Sequence, residues 1–107
     1  MPARTGAEFL DRLARTRTHV EIQGETLACG MASHPAFRNV VRSYAELFDM
    51  QHDPAHRGVL TYPSPLTGHP VATSFLIPRT AADLTRRRQA FKLWADRSLG
   101  MLGRTGD

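Results

Sequence analysis

A chain of 107 residues and 11.9 kDa has room for one domain or part of one, and at that size only about 60–70% of the unfolded surface can be buried. Hydrophobic residues at 41% and charged residues at 22% are ordinary for a protein that folds in water, and no apolar run approaches the roughly 20 residues of a membrane-spanning helix. The net charge of +4 and pI near 10.2 would suit an anionic partner, but the cations are scattered and only Arg86-Arg87-Arg88 forms a block, with no interleaved aromatics to stack bases, so neither nucleic acid nor membrane is expected.

The first residues, Met1 to Thr5, lack the apolar core of a secretory signal, and the single Cys29 has no internal disulfide partner, so a reducing cytoplasm is the expected compartment. Thr5 followed by Glu8 is a capping box that starts a short helix ending between Arg15 and Thr18, with Phe9, Leu10 and Leu13 on its buried side. Val20 to Ile22 and Glu25 to Leu27 flank Gln23-Gly24 and predict a small hairpin. Ser33-His34-Pro35 reads as the entry to a second helix, because proline suits a first turn where its missing N–H costs nothing. Phe37, Val40, Val41, Tyr44, Leu47 and Phe48 form that helix's apolar stripe.

Asp53-Pro54 is expected to cap one further turn that Gly58 ends. Val59 to Tyr62 and Val71 to Ile77 are β-type runs around the Pro- and Gly-rich segment Pro63 to Pro70, which predicts a second hairpin with a longer loop. Pro78 stops the second run. Thr80 with Asp83 then caps a long basic helix starting at Ala81, with Leu84, Phe91, Trp94, Ala95, Ser98 and Leu99 on its apolar stripe. Gly100 stops this helix, which delivers the tail Gly100 to Asp107 and exposes Arg104. The fold class is therefore mainly α with two small β hairpins, one domain spanning 1–107, with Phe37, Phe48, Phe91 and Trp94 expected to share one core.

The chemistry-bearing residues are sparse. His52 and His56 have the i, i+4 spacing of paired metal ligands, but Pro54 breaks that geometry, no third ligand follows, and no metal is expected. His34 reads as a helix-entry residue rather than a ligand, and Cys29 as a small buried hydrophobe rather than a nucleophile. The glycines after residue 99 follow no strand and open no helix, so they do not make a phosphate loop.

Four stretches taken together carry a resemblance: Thr5-Gly6-Ala7-Glu8-Phe9-Leu10, Ser33-His34-Pro35-Ala36-Phe37-Arg38-Asn39, Leu47-Phe48-Asp49-Met50-Gln51-His52 and Met101-Leu102-Gly103-Arg104-Thr105. In this order they resemble the N-terminal domain of the 4-hydroxyphenylacetate 3-monooxygenase oxygenase family. The resemblance implies the N-terminal helical domain of an acyl-CoA-dehydrogenase-like flavoprotein, with the central β domain and C-terminal helical bundle absent from this sequence. It implies an aromatic monooxygenase in which a separate flavin reductase supplies reduced FAD, bound mainly by those other domains, and a phenolic small molecule is hydroxylated ortho to its hydroxyl. It further implies a homotetramer and the catabolism of aromatic compounds.

The arginine of the family's Gly-Arg-Thr motif, a phenol contact, maps onto Arg104, and with it Thr105 and Asp107 are the implied substrate-binding residues; no catalytic residue is assigned in this chain. A planar, permanently charged donor favours phenolate and the charge that grows on its oxygen. Gly106 stands where the family pattern has proline, and the pattern's tyrosine would follow Asp107. The chain alone is thus expected to be inactive. The alternative is a non-catalytic, partner-binding module that exists as a short independent chain.

Overall fold

The computed structural model describes residues 2–28 and 30–101. Helix α1 (Gly6–Arg15) starts at the expected capping box: Thr5 Oγ1 accepts the Glu8 N–H at 3.1 Å while Glu8 Oε2 accepts the Thr5 N–H at 3.0 Å. It packs on helix α2 (Arg38–Met50) through Phe9, which stacks on Phe48 at 4.9 Å between centroids and tilts against Tyr44 at 6.4 Å. Leu10 falls at the edge of this contact and is 37% exposed rather than buried.

The two helices approach closely at Gly6. Its N–H donates to Asp49 Oδ1 at 2.7 Å, and a Cβ added there would lie 2.5 Å from the Ala45 carbonyl oxygen and 2.7 Å from Asp49 Oδ2. Backbone cannot yield to such a contact without moving the helices apart. Gly6→Ala is therefore expected to cost about 1–3 kcal/mol, read as a lower urea midpoint; an unchanged midpoint would show that α1 does not hold its place against α2 in solution.

Strands β1 (Val20–Ile22) and β2 (Glu25–Leu27) form the first expected hairpin, with Val20 opposite Leu27. Gln23 at φ 49° and Gly24 at φ 82° make the left-handed two-residue turn whose twist matches the strands. His34 joins this hairpin to α2: its Nδ1 accepts the Ala36 N–H at 3.1 Å and its Nε2 lies 3.1 Å from Glu25 Oε2, so one ring supports both elements. The helix entry itself differs from expectation. Residues 35–37 form a turn and α2 begins at Arg38, because the His34 ring rather than a first helical turn satisfies the local N–H.

Between residues 57 and 77 the chain departs most from its sequence pattern. Gly58 does not end a turn but sits inside the short helix α3 (Arg57–Leu60), so Val59 and Leu60 are helical, and strand β3 is confined to Thr61–Pro63. It pairs with β4 (Pro70–Ala72), with Pro63 facing Pro70, and one further backbone bond, from the Ser64 N–H to the His69 carbonyl at 2.8 Å, lies beyond the two prolines. The second run leaves the sheet at once as a 3-10 turn, Thr73–Phe75. Its cause is Thr73, fully buried, whose hydroxyl donates to the Val59 carbonyl at 2.7 Å.

Helix α4 (Ala81–Arg97) starts at Ala81 with the expected Thr80–Asp83 box. The Asp83 carboxyl is held below its ordinary pKa chiefly by the Arg79 N–H; desolvation opposes this, and the Thr80 N–H and hydroxyl and the Arg86 charge add to the lowering. That stabilisation is present above the carboxylate's unfolded pKa and fades as acid protonates Asp83. The helix ends at Arg97, three residues before the expected stop, and both Leu99 (φ 54°) and Gly100 (φ 86°) turn left-handed.

Leu47, Leu60, Ala90 and Trp94 are the centre of the core, with Met50, Val59, Phe91 and Leu93 around it. The four aromatics expected in one core pair in separate places: Trp94 with Phe91 at 5.7 Å, Phe48 with Phe9, and Phe37 with His34 at 5.6 Å. Leu84 and Leu99, assigned to the buried stripe, are 59% and 93% exposed. Arg86, the first of the three-arginine block, ties α4 to α3 and β3 by donating from Nη2 to the Gly58 carbonyl (3.1 Å) and the Thr61 carbonyl (2.7 Å). Cys29 lies outside the described residues.

Candidate functional site

Three elements line a hollow of about 220 Å³: the C-terminal half of α2, the 3-10 turn with the residue before it, and the last turn of α4. Tyr44, Leu47, Phe48 and Gln51 recur at three- and four-residue spacing, so they share one face of α2 or its C-cap, and they meet Ala72, Ser74 and Phe75 on one side and Trp94 on the other. A neighbouring hollow shares Phe48, Gln51, Ala72 and Phe75 and is bordered by Pro2, Ala3 and Arg4. The walls are aromatic and apolar. They can hold an apolar or aromatic group, but among the described residues lining the first hollow there is no carboxylate, imidazole or thiol to move a proton at neutral pH.

Gln51 is the buried amide in this wall: it is only 6% exposed, and its Oε1 has no hydrogen-bond partner among the described residues. The stretch Leu47 to His52 drew attention in the sequence only as part of a motif. The spacing Tyr44, Leu47, Phe48, Gln51 was the signal that would have placed a glutamine on the apolar face.

Trp94 connects this hollow to the end of α4. Ser98 Oγ donates to the Trp94 carbonyl at 2.8 Å, Gly100 N–H to the Ala95 carbonyl at 2.7 Å and Met101 N–H to the Ser98 carbonyl at 3.1 Å. These bonds close the last turn up to Met101. The expected substrate contacts Arg104, Thr105 and Asp107 follow directly and lie outside the described residues.

The sequence of residues 5–107 matches the family described as 4-hydroxyphenylacetate 3-hydroxylase N terminal. The chain belongs to that family. It is 49% identical over 105 residues to a 4-hydroxyphenylacetate 3-monooxygenase oxygenase component of Thermus thermophilus, and 45% identical over 107 residues to one of Geobacillus sp.. These alignments take in 98% and 100% of this chain but 21% of each relative, so the chain spans about a fifth of their length.

The crystal structure of such an oxygenase component complexed with FAD superposes with a TM-score of 0.86 at 49% identity, covering 95% of this chain and 21% of that one. An archaeal 4-hydroxybutyryl-CoA dehydratase from N. maritimus superposes at 0.74 with 22% identity, which shows the shared fold alone. The mainly helical family domain with two small hairpins is thus the observed fold. Among the described residues no helix is long and apolar enough to cross a membrane.

Proposed function

We propose that this chain forms the N-terminal part of a reduced-FAD-dependent phenol ortho-hydroxylase and that its tail helps to build the phenol site. The observation that carries this reading is the match of almost the whole chain, at 49% identity, to a 4-hydroxyphenylacetate 3-monooxygenase oxygenase component. In it Arg104 faces the phenol oxygen, with Thr105 and Asp107 beside it on the same tail. The guanidinium favours the ionised phenol and the negative charge that its oxygen carries during ring attack. Helix α4 acts as the positioning element, braced through Arg86 to α3 and β3 and through Trp94 to α2.

The reading brings a phenolic substrate, a flavin reductase, a homotetrameric assembly and a cytoplasmic location. An independent partner-binding module has no comparable support, because the match covers the phenol-site motif as well as the scaffold.

In this reading FAD is bound mainly by the parts of the longer polypeptide outside the match. A dinucleotide's diphosphate needs free N–H groups, typically at a helix N-terminus, yet α1 and α4 each have that end filled by their own carboxylate, Glu8 and Asp83. The chain alone is therefore expected not to bind FAD, whereas a longer polypeptide carrying it does. Equilibrium dialysis distinguishes the two, and stoichiometric binding at micromolar or lower FAD by the 107-residue chain would overturn this division of labour.

A further inference from the structure

The backbone of Gln51 closes α2, its N–H donating to the Phe48 and Asp49 carbonyls, while its side chain lines the aromatic hollow. That side chain is almost wholly buried, yet its Oε1 receives no hydrogen bond among the described residues. Unpaired buried acceptors are costly, and native interiors keep few of them. A hollow walled by one such acceptor is built to take a donor.

The rest of the lining sets which donor. Tyr44, Phe48, Phe75 and Trp94 present four aromatic side chains, and no charged residue is among the described residues of this wall. Two of these rings are braced by others, Phe48 by Phe9 at 4.9 Å and Trp94 by Phe91 at 5.7 Å, so the wall needs little ordering to receive a flat group. A charged ligand would give up its hydration here without gaining a counter-ion. Size narrows the choice further. A water takes up about 30 Å³ and an apolar cavity of about 150 Å³ holds benzene, whereas sites for drug-sized molecules run to roughly 300–1,000 Å³. The hollow's volume of about 220 Å³ therefore suits one ring with a small substituent.

We propose that this hollow is a binding site for an uncharged, single-ring aromatic molecule carrying an O–H or N–H donor, with the ring among the four aromatic side chains and the donor on Gln51 Oε1. The site goes beyond the proposed phenol contact at Arg104, and its chemistry is the opposite. A guanidinium favours an oxygen that has lost its proton, whereas an amide oxygen requires that the ligand keep it.

Trp94 is the chain's single tryptophan, so its emission reports on the hollow. The probes are benzyl alcohol, which has a donor and does not ionise near neutral pH, and benzyl methyl ether, which keeps the ring and lacks the donor. Benzyl alcohol titrated into the 107-residue chain is expected to change Trp94 emission saturably, with half-saturation at about 10 mM or lower, in keeping with the binding energy per atom of very small ligands. The ether is expected to bind at least about tenfold more weakly. Gln51→Met keeps the side chain's length and removes the amide, so the thermal midpoint should hold or rise while alcohol and ether come to bind alike. Arg104→Ala should leave the alcohol's binding unchanged. Equal binding of the two probes by the unmodified chain, no saturable change with the alcohol, or a preference for the alcohol that survives Gln51→Met would overturn the proposal. Loss of the alcohol's binding in Arg104→Ala would place the ring at the tail and overturn it as well. No turnover is measured, so a failure here is distinct from a failure of the hydroxylase reading.

Discussion

Trp94→Ala is expected to destabilise the isolated chain by about 3–5 kcal/mol, the usual cost of truncating a buried tryptophan. Trp94 is only 6% exposed and sits with Leu47, Leu60 and Ala90, so its removal opens the one place where α2, α3 and α4 meet. The ring contact with Phe91 goes at the same time. A loss of that size is a large share of the 5–15 kcal/mol that holds a domain together, so a substantial unfolded population should appear at ambient temperature. Trp94→Phe keeps an apolar ring and should cost less. Urea unfolding followed by far-UV circular dichroism separates the outcomes. A soluble Trp94→Ala variant with an unchanged midpoint would mean that the tryptophan contributes nothing to this unit's own core.

Local signals in the sequence were read correctly where local chemistry decides the structure. Thr5 with Glu8, Thr80 with Asp83, and Gln23-Gly24 each satisfy backbone groups within a few residues, so both caps and the first turn stand where those pairs put them. Residues 57–77 failed the same approach. Val59-Leu60 and Val71 to Ile77 are apolar runs whose short periodicity suits a strand or a buried turn equally well. The choice is made by Leu60 packing under Trp94 and by Thr73 bonding to the Val59 carbonyl, both contacts between distant segments.

The same reason hid the division of the aromatic residues and the clamp made by Arg86, since a triple-arginine block looks solvated until a carbonyl pair is placed beside it. Gln51 was legible as part of a motif but not as a buried amide. The substrate contacts were legible only through resemblance. No periodicity or spacing singles out Arg104 as a phenol ligand.

Arg104→Ala, made in a longer polypeptide that carries this chain, is expected to lower phenol hydroxylation and weaken phenol binding about ten- to a hundredfold. A charge-assisted hydrogen bond is worth roughly 1.5–3 kcal/mol, which sets that range. Oxygen consumption should continue, because the proposed contact is to the phenol and not to the flavin, so hydrogen peroxide rises as product falls. Arg104→Lys should recover part of the loss: the charge is kept, but the planar fork that orients the phenol oxygen is not. The ratio of hydroxylated product to oxygen consumed checks this. Wild-type coupling in Arg104→Ala, or a variant that no longer consumes oxygen, would contradict the assigned role.

Product analysis of a chimera in which this chain replaces the matching fifth of the Thermus thermophilus component, supplied with reduced FAD, oxygen and 4-hydroxyphenylacetate, is the most direct test that residues 1–107 are a working N-terminal part of a phenol hydroxylase. The expected result is the ortho-hydroxylated product, lost or strongly reduced with Arg104→Ala. A chimera that is folded and binds FAD, yet releases only hydrogen peroxide across a panel of phenols, would contradict it.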